Sequence, residues 1–259
     1  MKRIGRLLRM GKNCAAMNMA IDESIMMAQF NHPNPTLRFY DWESPAYSFG
    51  YFQDIHSEVD VDLCFTEGIE LVKRMTGGGT VIHGWDLTYT LILPRENSEM
   101  RISEIYQSIG RDLKLALSKL RIQTDINLTN RDTSSQNNCL INIAEHDVTC
   151  DGNKVAGVSV RRNRNGFLFQ GYISLDIPTD IMLRNASKDS IVQGQLLDES
   201  SAINKNGRSI QREDLITVIS NTLDFDMEFN DDELTDIEIK KARDLADSKY
   251  STNAWNFNM

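Results

Sequence analysis

Two stretches of this chain combine residue types that can do chemistry. In "RMTGGGTVIHG" (74–84), Gly77, Gly78 and Gly79 stand between a basic pair and a β-branched run that ends at His83. Glycine loses the most backbone freedom on folding, so three in a row are expected where backbone must approach something closely. Their exposed N–H groups can cradle an anion. The pattern is not a P-loop, since no GxxxxGK[ST] follows, and not a dinucleotide fingerprint, since a strand rather than a helix follows. On the glycines alone, a hairpin bulge without a ligand fits equally well; Arg74 and His83 on either side point to a pocket. In "GNKVAGVSVRR" (152–162), Lys154 follows a tight turn and opens a strand, with Gly157 three residues on. A lysine so placed can hold a carboxylate, a phosphate or a developing oxyanion. The alternative is a solvated lysine at a strand edge. Arg161 and Arg162 alternate faces, so at most one of them shares a pocket with Lys154.

The elements that must position these residues belong to a chain of ordinary globular composition. It has 259 residues, 41% hydrophobic and 25% charged, enough for a sizeable core. The net charge of −9 argues against a general nucleic-acid binder and leaves room for a local basic pocket. No apolar run approaches the length that spans a bilayer. The basic start "MKRIGRLLRMGKNCAAMNMA" lacks a clean apolar h-region, so the default expectation is a cytoplasmic protein. Cys14, Cys64, Cys139 and Cys150 form no CxxC pair, and the four histidines show no metal spacing. Neither a disulfide framework nor a metal site is expected. Each cysteine is then a small core residue or a nucleophile.

Periodicity predicts helices over 15–30, 58–68 (stopped by Gly68) and 101–119, the last with Ile105, Ile109, Leu113 and Leu117 repeating every four residues. Two further helices are expected at 211–225 and 231–250, the second capped by Asn230 or Asp231. The aromatic runs 36–42 and 46–52 bracket "ESP" and read as a hairpin. Strands follow at 69–75, 80–84 and 86–94, and three more within 146–177, joined at "CDGN" and "RNRNG". The polar stretch 123–138 is expected to be a mobile loop. Without strict βαβ alternation the mixture points to α+β, as one domain with a helical C-terminal tail packed on it.

Taken together these pieces resemble the lipoate–protein ligase A family, which includes octanoyltransferases and is related to biotin–protein ligases. "NMAIDE" (18–23) is similar to its N-terminal helix and "RFYDWESPAYSFGYFQD" (38–54) to its arginine-bearing aromatic hairpin. "KRMTGGGTVIH" (73–83) resembles its RRxTGGGxVxH signature. "GNKVAGVSVRR" with "GFLFQGYISLD" (166–176) resembles its lysine segment and return strand, and "SKYSTNAWNF" (248–257) the end of single-domain members. The resemblance spans nearly the whole chain. It implies a single biotin/lipoate-ligase-like domain over 1–259, with mostly antiparallel sheets flanked by helices. It also implies an enzyme that attaches a lipoyl or octanoyl group to a lysine of lipoyl domains, in 2-oxoacid dehydrogenases or the glycine cleavage H protein. Arg74, Thr76, Gly77, Gly78, Gly79, Val81, His83 and Gly157 would bind the substrate or adenylate, with Arg74 on its phosphate or carboxylate end. Lys154 would hold the acyl carbonyl. Arg38 and Tyr51 would lie on the acyl-chain or acceptor side. Val81, Leu87, Tyr89 and Val155 would line an apolar tunnel, or serve as plain core.

Two activation routes follow from the resemblance. A ligase makes an acyl-adenylate from lipoate, ATP and Mg²⁺. An octanoyltransferase draws on acyl carrier protein through a cysteine thioester, with no cofactor beyond the acyl donor. Cys139 lies upstream of Lys154 at the separation found in cysteine-using transferases, and "HGWDLTYT" (83–90) leans the same way. Gly79, where such transferases usually carry arginine, and "NIAEHD", in place of their "PSxYE", lean towards the ligase. The sequence therefore favours the ligase, with a separate accessory protein as a possible partner and Cys139 as a small apolar residue at a strand start. The Cys139 transferase is the alternative. A third reading keeps the fold without the chemistry, as an acyl-binding module. Retained Lys154 and the intact glycine loop argue against it.

Overall fold

The computed structural model describes residues 3–95, 101–129, 138–223, 225 and 227–257. The chain runs β1 (Arg3–Asn13), α1 (Ala15–Ala28), β2 (Thr36–Trp42), β3 (Ala46–Phe49), α2 (Ile55–Glu58), α3 (Val61–Thr66), β4 (Glu70–Lys73), β5 (Val81–His83) and β6 (Asp86–Pro94). It continues through α4 (Ile102–Lys119), β7 (Asp125–Ile126), β8 (Val148–Cys150), β9 (Asn153–Asn163), β10 (Gly166–Ser174), α5 (Asp180–Asn185) and α6 (Ser190–Glu199). It ends with α7 (Arg212–Ser220), β11 (Met227–Asp231), α8 (Asp236–Leu245), a π turn at Ala246–Tyr250 and α9 (Asn253–Asn256).

Eight strands form one sheet in the order β11-β1-β2-β6-β10-β9-β8-β7, and three form a second in the order β4-β3-β5. Pairings are antiparallel except β11 with β1, β1 with β2, and β3 with β4. The expected α+β arrangement, mostly antiparallel and flanked by helices, is what forms. β10 is buried along its whole length because both faces are covered. Phe167 and Phe169 point to the α4 and α7 side, where the Ile105–Ile109–Leu113–Leu117 stripe packs. Leu168 points to the α1 and α8 side. A third apolar cluster joins the small sheet to α5 and α6. No helix among the described residues is long and apolar enough to cross a membrane.

Several sequence expectations are corrected. The aromatic runs form no hairpin: β2 is already flanked by β1 and β6, so β3 has no free edge there and pairs with β4 and β5 instead. The basic N-terminal stretch is the long strand β1, hidden by arginines at positions 3, 6 and 9. Only its centre spans the sheet, with Leu7 in one core and Leu8 in the other. Asn230 and Asp231 lie in strand β11, and Thr235 caps α8 in a capping box with Glu238. Arg6 ties β1 to this cap, donating to Glu238 at 2.8 and 3.0 Å and to Asp232 at 2.8 Å. The expected mobile loop contains the two-residue β7 near its start; its residues 130–137 lie outside the described residues.

Candidate active site

The glycine run connects β4 to β5, and these strands lie on opposite sides of β3 rather than beside each other. It is therefore a crossover loop, not a hairpin turn. Arg74 at the end of β4 folds under it. Nη1 donates to the Ser48 carbonyl at 2.6 Å and to Ser48 Oγ at 2.7 Å, and Nη2 donates to the carbonyls of Gly77 (3.2 Å) and Gly79 (2.9 Å). Both Nη nitrogens of Arg74 are thus engaged inside the protein, on Ser48 and on the glycine loop. Gly78 has φ +91°, and a Cβ there would lie 3.4 Å from Cys139 Sγ and 3.6 Å from Arg74 Nη2. Glycine is needed for the dihedral, and it brings thiol and guanidinium against one point of backbone.

Cys139 is anchored by a bridge between Thr80 and Asn138. Its N–H donates to the Thr80 carbonyl at 3.0 Å, and its own carbonyl accepts from Tyr172 Oη at 3.0 Å. The Gly79 N–H points at Sγ, 2.9 Å away.

Lys154 reaches the same cavity through a fault in the sheet. Val148 pairs with Ala156, but Thr149 pairs with Lys154, so β9 carries one extra residue at this point. Strict alternation would turn Lys154 to the side of Ala156 and Val158, into the core against α4. The bulge re-aims it onto the side of Gly157. A Cβ on Gly157 would fall 2.5 Å from Lys154 Cε, 2.8 Å from its Nζ and 3.0 Å from Asp147 Oδ1. Lys154 Nζ lies 2.6 Å from Asp147 Oδ2 and donates to the Asn142 carbonyl at 3.0 Å. Burial pushes the Asp147 carboxyl above its ordinary value, and the Lys154 ammonium only partly reverses this. The pair is buried at 5% exposure on each side.

His83 closes the far wall. Its Nδ1 lies 2.9 Å from Asp86 Oδ2 and its Nε2 2.6 Å from Ser48 Oγ, and the ring stacks on Trp42 at 4.0 Å. Burial alone would raise the Asp86 carboxyl, but His83, Thr88 and Arg212 outweigh it and hold it below the ordinary value.

The cavity measures about 150 Å³ and is lined by Arg74, Gly78, Gly79, Val81, His83, Cys139, Lys154 and Gly157 from the predicted set. Thr76 and Gly77 stand just behind this wall. Thr76 donates to Gln170 Oε1 and accepts from Ser159 Oγ, both at 2.9 Å. Arg38 and Tyr51 are not brought to the cavity. Arg38 is fully buried against Asp22 at 2.6 Å, inside a network in which Asp22 also accepts from Thr90 and Gln170. Tyr51 packs on Phe52 and Trp255, with the Arg161 guanidinium 5.0 Å from its ring. Arg162 lies over Phe167, so neither arginine lines the cavity. Of the expected tunnel residues only Val81 lines it; Leu87, Tyr89 and Val155 are core. The apolar lining comes instead from Met19, Tyr40, Trp42, Val158 and Tyr172.

Sequence reasoning missed Asp147, Ser48, Trp42 and Tyr172. For Asp147 a signal existed. The "CDGN" turn sets a hairpin register that carries position 147 back opposite Ala156, and the bulge shifts it by one residue to the level of Gly157. The others arrive from distant strands and left no local signal. The assembled groups are a thiol, an ammonium, a carboxylate and a loop N–H around a mostly apolar hollow. That set suits acyl transfer through a covalent intermediate.

The chain is similar to several known proteins. Octanoyltransferase LipM of Clostridioides difficile (strain 630) is 34% identical over 257 residues, covering 93% of this chain and 94% of that protein. Octanoyltransferase LipM of Symbiobacterium thermophilum is 30% identical, covering 97% of each. A crystal structure of lipoate-protein ligase A bound with ATP superposes with TM-score 0.81 at 26% identity, over 100% of this chain and 99% of that one. The bipartite lipoate protein ligase of Thermoplasma acidophilum, at 23% identity and TM-score 0.83, shares the fold. The model of the lipoyl protein ligase A/B catalytic domain matches residues 14–239, and the chain belongs to that family of lipoyl- and octanoyl-attaching enzymes.

Proposed function

We propose that the chain is an octanoyltransferase working through Cys139. It takes an octanoyl group from the thioester of an acyl carrier protein and passes it to the ε-amine of a lysine on a lipoyl domain. The observation that carries this reading is the Cys139 sulfur lining the Lys154 cavity with the Gly79 N–H upon it at 2.9 Å. The names of the relatives support the transferase, which the sequence held as the alternative. The ligase reading, with lipoate, ATP and Mg²⁺, draws less support. Arg74, its expected phosphate ligand, has both Nη nitrogens committed to Ser48 and the glycine loop.

In the first step the Cys139 sulfur attacks the carrier thioester. A new C–S bond forms, the carrier C–S bond breaks, and the cysteine proton leaves on the carrier thiol. In the second step the lysine amine attacks the Cys139 thioester. The amide forms, the C–S bond breaks, and an amine proton returns to the cysteine. Lys154 serves both steps. Two of its three ammonium hydrogens go to Asp147 and the Asn142 carbonyl, and the third is available for the acyl oxygen as charge develops there. The Gly79 N–H stabilises the sulfur as it departs. The acceptor would be a lipoyl domain of a 2-oxoacid dehydrogenase or the glycine cleavage H protein; the Thermoplasma neighbour is described with its E2 lipoyl domain. The test is to incubate the chain and a lipoyl domain with octanoyl-carrier protein, or with lipoate plus Mg-ATP, and weigh the domain. Octanoylation from the carrier, without ATP, is expected. Modification only with lipoate and ATP would restore the ligase.

A further inference from the structure

A line of hydrogen bonds runs from the interior to the Cys139 sulfur through side chains that the transfer chemistry leaves idle. Asp86 Oδ2 contacts His83 Nδ1 at 2.9 Å and accepts from Thr88 Oγ1 at 2.6 Å. His83 Nε2 lies 2.6 Å from Ser48 Oγ, which accepts from Arg74 Nη1 at 2.7 Å. Arg74 Nη2 then reaches the carbonyls of Gly77 and Gly79, and the Gly79 N–H reaches the sulfur. Asp86, His83, Ser48 and Arg74 are all buried.

Counting hydrogens fixes two of the directions. The Asp86 carboxylate only accepts, so the His83 Nδ1 that faces it carries a proton. Arg74 is a donor only, so Ser48 Oγ accepts from it and spends its remaining hydrogen-bonding capacity on His83 Nε2. Trp42 keeps the imidazole in place by stacking on it, and Trp42 Nε1 donates to Thr88 Oγ1 at 2.8 Å, which closes the arrangement back onto Asp86. The order Asp–His–Ser matches that of a nucleophilic triad. This serine is nevertheless poorly placed to attack, because a guanidinium draws on its oxygen and it has no exposed surface.

We propose that Ser48 is a positioning residue for the transfer. Backed by His83 and Asp86, it holds the Arg74 guanidinium so that the glycine loop presents the Gly79 N–H to the Cys139 sulfur; the inference rests on the Cys139 reading above. Both partners of Arg74 Nη1 belong to Ser48. Without the hydroxyl only the backbone carbonyl remains, and the guanidinium can turn, taking the carbonyls of Gly77 and Gly79 with it.

The test uses the full chain and the variants Ser48→Ala, Ser48→Thr and His83→Gln, each checked for folding by thermal denaturation. One readout is the rate at which iodoacetamide alkylates Cys139 at pH 7, followed by peptide mass spectrometry. The other is kcat and KM for octanoyl transfer. Losing one hydrogen bond to a charged group should slow both Cys139 alkylation and kcat in Ser48→Ala by about tenfold or more. KM for the lipoyl domain should stay unchanged, and Ser48→Thr, which keeps the hydroxyl, should recover most of the loss. A folded Ser48→Ala with unchanged alkylation and kcat overturns the proposal, as does an equal loss in Ser48→Thr. If Ser48→Ala does not fold, His83→Gln decides, because it removes the imidazole that Ser48 Oγ meets at 2.6 Å. Slower Cys139 alkylation in that variant supports the line, and an unchanged rate overturns it. Alkylation needs no acyl donor, so a wild-type chain that transfers no octanoate would count against the Cys139 reading separately.

Discussion

Gly157→Ala separates the position of Lys154 from the stability of the fold. The added Cβ would sit 2.5 Å from Lys154 Cε and 2.8 Å from Nζ. Unstrained carbon contacts begin near 3.5 Å, so the lysine end must retreat by about 1 Å. It cannot do so and keep both the 2.6 Å contact to Asp147 and the 3.0 Å bond to the Asn142 carbonyl. The backbone itself tolerates alanine, because Gly157 lies inside β9 without a positive φ. Overpacking costs about 1–3 kcal/mol, and the stiffer unfolded chain returns about 0.4–1 kcal/mol. The net loss is therefore about 0–2.5 kcal/mol, or a fall in Tm of up to about 10 °C at about 2–4 °C per kcal/mol. A misplacement of about 1 Å in a catalytic group can cost about a hundredfold in rate. In single-turnover octanoyl transfer, read by the mass of the lipoyl domain, Gly157→Ala should fold and fall about a hundredfold. Wild-type turnover by a folded variant would refute the role given to Lys154 and to the gap beside it.

Three further outcomes follow from the geometry. Arg38→Met should act on stability, because it leaves Asp22 in a site with no exposure; breaking such a pair costs about 3–5 kcal/mol, readable as a lowered denaturant midpoint. A raised KM with unchanged stability would return Arg38 to the substrate side. Arg6→Met should likewise loosen β1 from α8, by breaking the buried contact to Glu238. For Glu238, burial pulls its carboxyl up, but Arg6 and the Thr235 cap outweigh it and hold it below the ordinary value. Its contribution is therefore full above the unfolded carboxyl's pKa and fades as pH falls through the lower folded value. Wild type should lose stability along that acid limb, and Glu238→Gln should flatten the loss in denaturant melts at several pH values.

The parts of the site legible in the sequence were those written in short local patterns. The glycine run, His83, Lys154 and Gly157 announce themselves by residue type and spacing, and all but Gly77 line the cavity. Arg74 was legible as a site residue, but its task was not. Its partner Ser48 lies 26 positions away on a strand whose neighbours were misassigned. The α4 stripe was readable because one face of a long helix meets one core. β1 and β11 were not, since their hydrogen bonds join segments more than 220 residues apart. Arg38 misled for a physical reason: an arginine in an aromatic run looks like a ligand until the buried Asp22 that neutralises it is known. Cys139 could be a nucleophile or a core residue by sequence. The Gly79 N–H and the cavity, both products of tertiary structure, support the nucleophile proposed above.

The most direct test of the account is to mix the chain with octanoyl-carrier protein alone, without acceptor or ATP, quench in acid and weigh the intact chain. The account predicts one octanoyl group bound as a thioester on the peptide carrying Cys139, released by hydroxylamine, discharged on adding a lipoyl domain, and lost in Cys139→Ala. A chain that never acquires the group, while Cys139→Ala still modifies the lipoyl domain, would contradict it.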